Sequence, residues 1–502
     1  MKIPLPLIRL PLWVAAAFIV VAPFTVAWRM YDQPPTSGVG VQYDAPPSTS
    51  TPDDLTTWRS MGEGLPERAA PVVLAYHDIR PQSSDRYIVS PVELDRQLTA
   101  LAAAGYRTLT SAEFVAYLRG GPTPPRSVYL TFDDGTSGLY AYADRILAKH
   151  RMHGVSYLIS GRVGRYRPYY LSWREVSDMA ASGRWDFQAH THDLHTRGAV
   201  GPRRINGSLL TGSMWPTPDR METVDEHRQR VAADLRLMFG DFAEHGLPAP
   251  EVFAYPFSDA NPDYDRDAVS ATQELISDEF VGALTNKVSQ PTPVSRRASP
   301  GKLFERIEVF SSTRATDLLA QIVAWTAIRP QVRDLLADSP RWWDERTRSV
   351  ADLSILDGSN PGATDASNYL SASYAPYATA DWMDYTVTAE VRGLHRSDNN
   401  GNIVVRSGSP AETAVRVSCC GVQVVSIRTG KVIAQQRLGL AAVHRVSVSV
   451  RDGLTIVTVD DEVRIRVGAD RGVAGIGGIG LASRHGHGTA WPFFARLAVA
   501  PH

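Results

Sequence analysis

One change in the pattern of apolar residues divides this chain of 502 residues into two parts. From residue 71 to about residue 330, short apolar runs such as 72–76 alternate with segments of helical spacing such as 91–104. This alternation predicts a parallel sheet or barrel surrounded by helices. From about residue 381 to residue 500, short runs of alternating apolar and polar residues are separated by turn signals such as Asp452-Gly453. Such runs predict an all-β sandwich or jelly roll.

Composition and pattern together predict five segments along the chain. They are a membrane anchor or signal segment over residues 1–30, a linker over 31–65, the α/β barrel over 66–330, a connecting segment over 331–380 and the β-sandwich over 381–502. The linker assignment rests on residues 32–57, which are rich in Pro, Ser, Thr and Gly and cannot bury a core. We expect this stretch to be a flexible stalk that holds the barrel away from a membrane.

The N-terminus indicates a location outside the cytoplasm. Lys2 and Arg9 precede an uncharged apolar run over residues 12–28, which is short for a membrane span and slightly long for the core of a signal peptide. The small residues of 25–27 offer a weak cleavage site, so an uncleaved anchor, a removed signal and a buried core helix all stay open. We expect a protein anchored at the cell surface with its folded parts outside, or a secreted one if the segment is cleaved.

Charge and cysteine content exclude two classes of protein. The 52 Lys and Arg residues nearly balance the 53 Asp and Glu residues, whereas a chain that binds nucleic acid by releasing counterions carries a basic excess. We therefore expect no nucleic-acid partner. The two cysteines, Cys419 and Cys420, are neighbours and provide neither a disulfide framework nor a zinc ribbon. One is expected to be buried, and a strained disulfide between them is the alternative.

Four short polar segments follow strand patterns in the first part. They are Ala75-Tyr76-His77-Asp78-Ile79, Thr131-Phe132-Asp133-Asp134-Gly135, His190-Thr191-His192-Asp193-Leu194-His195 and Phe253-Ala254-Tyr255-Pro256-Phe257-Ser258-Asp259. Barrel enzymes display their functional residues where the strands end, so we expect these segments to meet at one end of the barrel.

The residue types in these segments favour metal-assisted hydrolysis. Of two adjacent carboxylates, such as Asp133 and Asp134, one can bind a cation while the other acts as a base, although an Asx turn or a helix cap is an equal interpretation. Three of the chain's 13 histidines lie within 190–195, and imidazole is the commonest side-chain metal ligand. One Asp and two His leave open positions on a metal for water and substrate. His77 faces this site or is a hydrogen-bonded core histidine.

These segments resemble the polysaccharide deacetylase family, also known as NodB-homology or carbohydrate esterase family 4. The sequence TFDDG at 131–135 is similar to the family's first motif, and HTHDLH at 190–195 is similar to a variant second motif with histidines five residues apart. That spacing, with AYHDI at 75–79 and FAYPF at 253–257, resembles the subgroup that deacetylates poly-β-1,6-N-acetylglucosamine. The resemblance covers roughly residues 70–315.

The resemblance implies a fold, a reaction and a set of roles. The fold is a distorted (β/α) barrel with fewer than eight complete units, and the reaction is hydrolysis of acetyl groups on a sugar polymer. The cofactor is a divalent metal ion, with zinc expected and cobalt, nickel or iron as alternatives. The implied roles are metal ligand for Asp134, His190 and His195, general base for Asp133, tuning or substrate contact for His77, and substrate or oxyanion contact for Tyr255, Pro256 and Phe257.

This chain departs from the family pattern in two places. The common third motif has an arginine near its proline, where this chain has Ala254 and Tyr255, and residues 306–309 occupy the place of the common late acid motif. The second part resembles concanavalin-like or laminin-G-like jelly rolls, in residues 384–392 and 475–484, and such domains often bind carbohydrate. Three aromatic residues of this part either stack on sugar or pack in its core: Trp382, Tyr385 and Trp491.

The sequence therefore predicts a metal-dependent N-deacetylase of an extracellular polysaccharide, resembling those that act on poly-N-acetylglucosamine. Its expected partners are the polysaccharide, the membrane through the N-terminal segment, and a polysaccharide synthase. One alternative keeps the chemistry but acts on peptidoglycan, chitin-like oligomers or acetylated hemicellulose. Another is a catalytically weak protein that binds or exports a polysaccharide.

Overall fold

The computed structural model describes residues 40–63, 65–66, 69–286, 302–332, 334–344, 346–347, 349–362, 367–468, 475–486 and 489–502. The predicted anchor or signal segment over residues 1–30 lies outside these ranges. None of the helices within them has the length and apolar character that a membrane span requires.

The described residues up to 326 form an α/β barrel. Its helices are α1 (Pro52–Gly62), α2 (Pro91–Ala103), α3 (Ser111–Leu118), α4 (Asp144–His150), α5 (Trp173–Ala181), α6 (Val224–Glu244), α7 (Arg266–Glu279) and α8 (Ala315–Trp325). Its strands are β1 (Val72–Tyr76), β2 (Asp78–Ile79), β3 (Ile88–Val89), β4 (Arg107–Thr108), β5 (Ser127–Phe132), β6 (Gly154–Leu158), β7 (Trp185–Ala189), β8 (Arg197–Val200), β9 (Ile205–Ser208), β10 (Val252–Ala254), β11 (Gly282–Thr285), β12 (Leu303–Glu305) and β13 (Ile307–Glu308).

The main sheet of this part is parallel and nearly closes on itself. Its strand order is β12-β11-β10-β7-β6-β5-β1-β13, with β4 paired to β5. Strand β12 pairs with β11 at one edge and β13 pairs with β1 at the other, and only Arg306 separates the two strands in the chain. Arg306 therefore lies where the two edges of the barrel sheet meet, and we call this position the barrel seam.

Alternation along the strands decides which side chains fill the barrel. Val73, Tyr129 and Tyr157 belong to the small cluster inside it, whereas Leu74 and Leu130 pack with the surrounding helices. Because successive side chains of a strand point to opposite faces, the residues that follow Tyr129 by two and by four also face the interior. The interior therefore receives polar groups at the carboxyl end of β5.

The second part is an antiparallel β-sandwich. Its strands are β14 (Trp342–Asp344), β15 (Ser349–Val350), β16 (Tyr369–Tyr374), β17 (Tyr385–Arg392), β18 (Asn400–Ser407), β19 (Thr413–Ser418), β20 (Gly421–Ser426), β21 (Val432–Arg437), β22 (Val443–Arg451), β23 (Leu454–Val459), β24 (Val463–Gly468), β25 (Gly478–Arg484) and β26 (Phe493–Pro501). The sheets have the orders β15-β14-β16-β25-β18-β19-β20-β21 and β24-β23-β22-β17-β26. One apolar core lies between them. The predicted fold class, a barrel of the NodB type followed by an all-β sandwich, is confirmed.

The segment expected to connect the two parts belongs largely to the sandwich. Within residues 331–380, β14 pairs with β16, and β16 pairs along its whole length with β25 near the end of the chain. The connecting-segment interpretation is therefore wrong for these strands. The sequence pattern missed them because the partner strand of β16 lies more than a hundred residues further along.

The Pro/Ser/Thr-rich segment is not a free stalk where the structure describes it. The ring of Tyr43 stacks on Tyr142 of the barrel, with ring centroids 4.7 Å apart. Helix α1 buries Trp58, whose indole N–H donates to Thr316 Oγ1 at 3.0 Å. The expectation of a flexible linker over 31–65 is wrong for these residues. The burial of one tryptophan anchors helix α1 on the barrel, and the Pro/Ser/Thr-rich composition of the segment gave no indication of this.

The aromatic residues considered for sugar stacking in the sandwich are core residues. Trp382, Tyr385 and Trp491 are each at most 2% exposed. The Tyr385 hydroxyl donates to the carbonyl oxygens of Gly477 and Gly478, which is a structural role. Cys419 is buried, and both cysteines are free thiols, so the alternative of a disulfide between them is not realised.

Candidate metal and catalytic site

Three potential metal ligands converge where β5 and β7 end. The ligand atoms of Asp134, His190 and His195 all lie within 4.8 Å of one another. Asp134 Oδ1 is 3.6 Å from His190 Nε2 and 3.4 Å from His195 Nε2. The structure therefore brings together the three residues that the sequence predicted as ligands.

The chemistry of these donors fits a divalent metal ion. His190 Nδ1 donates to the carbonyl oxygen of Ala254 at 2.7 Å, which leaves Nε2 as the unprotonated nitrogen facing Asp134. Burial lowers the pKa of both His190 and His195 to about 4, so both imidazoles are neutral at ordinary pH. Asp134 Oδ1 is buried and accepts no hydrogen bond from the described residues. Two neutral imidazoles and an unsatisfied carboxylate oxygen form a donor set that zinc and similar ions accept.

The loop between the two histidines is shaped by a carboxylate from helix α6. The buried side chain of Asp234 accepts the backbone N–H groups of His192, Asp193 and Leu194, at 2.8 to 3.1 Å. Thr191 takes a left-handed backbone conformation with φ 74°, which turns the chain sharply after His190. This turn allows histidines five residues apart to face one point, and sequence reasoning did not find Asp234.

The middle histidine of the cluster is not part of the site. His192 Nδ1 lies 2.7 Å from Asp241 Oδ2 of helix α6 and 3.3 Å from Ser160 Oγ. Its ring is therefore bound to the surrounding scaffold, and the cluster supplies two ligands rather than three.

Asp133 is paired with a buried arginine. Arg306 Nη1 donates to Asp133 Oδ1 at 2.8 Å and Nη2 donates to Oδ2 at 2.7 Å, and both side chains are almost fully buried. Burial alone would raise the pKa of Asp133, but the guanidinium opposes it and holds the pKa far below its usual range. Arg306 also donates to Asn286 Oδ1 at 2.7 Å and to Thr131 Oγ1 at 3.1 Å. The carboxylate of Asp133 is thus ionised and fixed in orientation.

The sequence did not identify Arg306 as a residue of this site. The arginine that the common third motif carries near its proline is absent from this chain, and the arginine found at the site comes from the barrel seam, between β12 and β13. The available signal was a charged residue inside the short apolar strand pattern around 303–307. Its meaning depends on the edge strands β12 and β13 meeting across the barrel, which no local pattern reports.

The site opens into a cavity of about 360 Å³ at the end of the barrel. Its wall is formed by sixteen residues, namely His77, Asp78, Asp85, Tyr87, Ile88, Asp133, Asp134, Tyr169, His190, His195, Arg197, Tyr255, Phe257, Ser258, Asn286 and Glu308. His77 Nδ1 is buried and has no hydrogen-bond partner among the described residues. The structure therefore places His77, Tyr255 and Phe257 at the same cavity as the ligands, while Pro256 is buried beside it without lining it.

One backbone amide of the turn after β10 has no acceptor in the described part of the chain. The Tyr255 N–H donates to Leu284 O at 3.0 Å, and Pro256 has no N–H. The Phe257 N–H has no hydrogen-bond acceptor among the described residues. Phe257 takes a left-handed conformation with φ 57°, which is costly for a bulky residue, and its ring packs 4.4 Å from that of His195.

Comparison with known proteins assigns the middle of the barrel to a family. Residues 120–276 match the family model described as polysaccharide deacetylase. This range contains Asp133, Asp134, His190 and His195, whereas His77 and Arg306 lie outside it.

Curated relatives match a similar region. A poly-β-1,6-N-acetyl-D-glucosamine N-deacetylase of Staphylococcus aureus (strain MSSA476) is 36% identical over 112 residues, which are 22% of this chain and 39% of that protein. The protein of the same name from Staphylococcus epidermidis is 30% identical over 146 residues, covering 26% of this chain and 50% of that protein. The chain thus spans about two fifths to one half of the length of these relatives.

Solved structures overlay on each part separately. IcaB from Ammonifex degensii is 25% identical, with a TM-score of 0.39, over 51% of this chain and 97% of its own. The Streptococcus pyogenes deacetylase PplD in complex with acetate is 19% identical, with a TM-score of 0.38, over 51% and 99%. The carbohydrate binding module CBM66 from Bacillus subtilis is 13% identical, with a TM-score of 0.22, over 27% and 83%.

Proposed function

The chain carries a polysaccharide deacetylase domain, and from this premise we propose that it removes N-acetyl groups from an extracellular polysaccharide in a metal-dependent hydrolysis that releases acetate. The observation that carries the proposal is the convergence of Asp134, His190 and His195 beside the buried pair of Asp133 and Arg306. The substrate we propose is similar to poly-N-acetylglucosamine, because the curated relatives bear the name of that activity.

In this proposal Asp134, His190 and His195 hold the metal ion. When bound, the metal supplies a Lewis acid for the acetyl carbonyl and for a water molecule, whose pKa can fall to about 7 on zinc. Asp133 takes the proton of the attacking water at its carboxylate. Because Arg306 keeps Asp133 ionised, its carboxylate can accept a proton at every ordinary pH. A carboxylate with such a low pKa is a weak base, so proton transfer from water is effective only when the pKa of the water is lowered as well.

Two further groups at the same cavity complete the proposed chemistry. The Phe257 N–H is the amide of the turn left without an acceptor, and it donates to the carbonyl oxygen as negative charge develops there. His77 lies in the same cavity with an unpartnered Nδ1, and it supplies a proton to the departing amine nitrogen. Tyr255 and Pro256 hold the turn that aims this amide.

Location and partners are further parts of the proposal. The apolar run over residues 12–28 supports attachment to a membrane or export through one, with the barrel and sandwich outside the cytoplasm. A polysaccharide synthase would supply an acetylated polymer to such an enzyme.

The test is acetate release by the purified protein before and after removal of metal. We expect release from oligomers of β-1,6-linked N-acetylglucosamine, loss of release with a chelator, and recovery when zinc, cobalt, nickel or iron(II) is restored. Oligomers with β-1,4 linkage are the matched control and are expected to react more slowly. Acetate release from neither oligomer would overturn the proposal, and faster reaction of the β-1,4 oligomer would replace the proposed substrate with a chitin-like one.

A further inference from the structure

One wall of the cavity carries polar and aromatic groups that the proposed chemistry does not use. This wall lies where β1 and β13 end, and its two unused side chains are Tyr87 and Glu308. It adjoins His77, whose ring is 4.8 Å from that of Tyr87. A group bound at this wall would therefore lie directly beside the reacting acetamide.

The strand register places Glu308 toward the mouth of the cavity. Glu308 is opposite Ala75 of the neighbouring strand β1. It follows Arg306 by two residues, so both side chains point to the same side of the strand, with Glu308 one step nearer the carboxyl end. Arg306 reaches Asp133 inside the barrel, and Glu308 lies above this pair.

The Glu308 carboxylate is half-buried, and its charge interacts electrostatically with the Arg306 guanidinium. The other carboxylates of the wall are engaged, since Asp78 pairs with Arg80 and Asp85 accepts the Tyr87 N–H at 3.0 Å. No hydrogen bond or ion pair reaches Glu308 from the described residues. Its oxygens are not among the buried atoms that lack a partner, so water reaches them, and the hydroxyl or amine groups of a ligand can replace that water.

Tyr87 offers a fixed aromatic face at the same wall. The rings of His77 and Phe310 contact it in tilted arrangements, with a centroid distance of 5.7 Å to Phe310. The guanidinium of Arg86 lies 5.3 Å from the Tyr87 ring and 4.0 Å from the Phe310 ring. Despite these contacts 38% of Tyr87 remains exposed. An immobilised and exposed ring gives contact area to an apolar ligand face at little cost in conformational entropy.

We propose that Tyr87 and Glu308 form a sugar-binding subsite, in which a pyranose ring adjacent to the reacting residue packs its C–H face on Tyr87 and donates its hydroxyl groups to Glu308. A pyranose combines an apolar face with hydroxyl donors at its edge, which is the combination that an aromatic ring and an unpaired carboxylate recognise. The identity of the sugar rests on the proposed function. The subsite would make the enzyme act on oligomers rather than on a single acetylated sugar.

The test is calorimetric titration of the chelator-treated full chain with the tetramer of β-1,6-linked N-acetylglucosamine. Tyr87→Leu removes the aromatic face and Glu308→Gln removes the charged acceptor, and we expect each to weaken binding about tenfold. The matched controls are Tyr166→Leu, an exposed tyrosine outside the cavity wall, and Glu279→Gln, an exposed carboxylate at the end of α7. Both controls are expected to bind within twofold of the parent.

Equal binding by Tyr87→Leu, Glu308→Gln and the parent would overturn the subsite, and so would the absence of tetramer binding to the parent. Acetate release from the same tetramer by the metal-loaded parent separates the subsite from the chemistry. If the parent binds the tetramer through this wall but releases no acetate, the proposed function fails and the subsite stands. If the parent releases acetate and the variants bind normally, the subsite alone fails.

Discussion

The carboxylate of Asp133 can remain charged inside the barrel because a guanidinium is buried with it. Two parallel hydrogen bonds from Arg306 compensate the charge and leave little freedom of rotation. Removing one member of such a pair leaves an uncompensated buried charge, which is strongly destabilising. At this scale the site depends on a residue outside the four polar segments of the sequence.

Replacing Arg306 by lysine tests this dependence. Arg306→Lys keeps a positive charge but cannot make both hydrogen bonds to Asp133 or reach Asn286 and Thr131 at the same time. We expect acetate release to fall about tenfold to a hundredfold and the melting temperature to fall by several degrees. Arg228→Lys, in an exposed pair with Glu274, is the control and is expected to change neither quantity. Wild-type activity in Arg306→Lys would show that the bidentate pair is not needed.

A second buried carboxylate beside this pair makes stability depend on pH. Burial raises the pKa of Glu305 from its usual 4.5 to about 8, and its Oε2 has no partner among the described residues. Between these two values the unfolded chain has released the proton while the folded protein retains it, so this group lowers stability as pH rises from about 4.5 to about 8. The glutamine of Glu305→Gln cannot ionise, so the stability of this variant does not fall with pH for this reason.

We therefore expect the free energy of unfolding of Glu305→Gln to exceed that of the parent by an amount that grows between pH 5 and pH 8 and then levels off. Denaturant titrations at three pH values measure this difference. The exposed Glu279→Gln should show a constant difference near zero. A constant difference for Glu305→Gln would contradict a raised pKa in the folded state.

Single residues differ in how much of their role the sequence reveals. Asp134, His190 and His195 were predicted as ligands because the motifs that contain them resemble those of a known family, and the structure brings their ligand atoms within 4.8 Å. Arg306 was missed because its role depends on the meeting of two sheet edges. Asp234 was missed because its partners are backbone N–H groups, and every residue except proline has one, so the sequence does not indicate which N–H groups a carboxylate accepts.

Among the elements, the loop from β7 shows how a scaffold residue sets ligand geometry. Helix α6 places Asp234 under three consecutive backbone N–H groups of this loop, and His190 and His195 lie at its two ends. The loop is thus held by a helix that contributes no ligand. The contact of helix α6 with the loop is a tertiary property that the local sequence pattern does not report.

Asp234→Ala should weaken metal binding without touching a ligand. The three N–H groups lose their acceptor, the turn relaxes, and we expect metal affinity to fall about tenfold to a hundredfold, as is usual for residues that support ligands. Asp234→Asn retains one carbonyl oxygen as acceptor, so its metal affinity should lie between those of Asp234→Ala and the parent. Competition with a chelator of known affinity measures the change. Equal affinity in all three proteins would contradict this role.

At the scale of the whole molecule, the barrel and the sandwich are in direct contact. The Trp382 indole N–H of the sandwich donates to Ile328 O at 2.7 Å, and the rings of Trp325 and Tyr377 stack at 4.5 Å. The sequence predicted both folds from the change in apolar pattern, because periodicity reports local structure. It did not predict where the sandwich begins, because β14 and β16 join the sandwich sheet through pairing with β25, which lies far along the chain.

Two truncations test this boundary. A chain of residues 40–330 ends after α8 and keeps the barrel sheet complete, so we expect it to be monomeric and to bind metal. A chain of residues 40–380 adds β14–β16 without β25 and exposes unpaired strand edges and core residues. We expect it to aggregate, as measured by size-exclusion chromatography. Monodisperse behaviour of the longer chain would show that β14–β16 do not need the sandwich.

We propose that Asp134 holds a metal ion while Asp133 acts as the base, and a paired measurement distinguishes these two roles. Metal content and acetate release from a β-1,6-linked N-acetylglucosamine oligomer are determined on the same preparations of the parent, Asp134→Ala and Asp133→Asn. The account predicts that Asp134→Ala loses both metal and activity, whereas Asp133→Asn retains metal and loses activity by a factor of about a hundred or more. Acetate release at the parent's rate by both variants would contradict it.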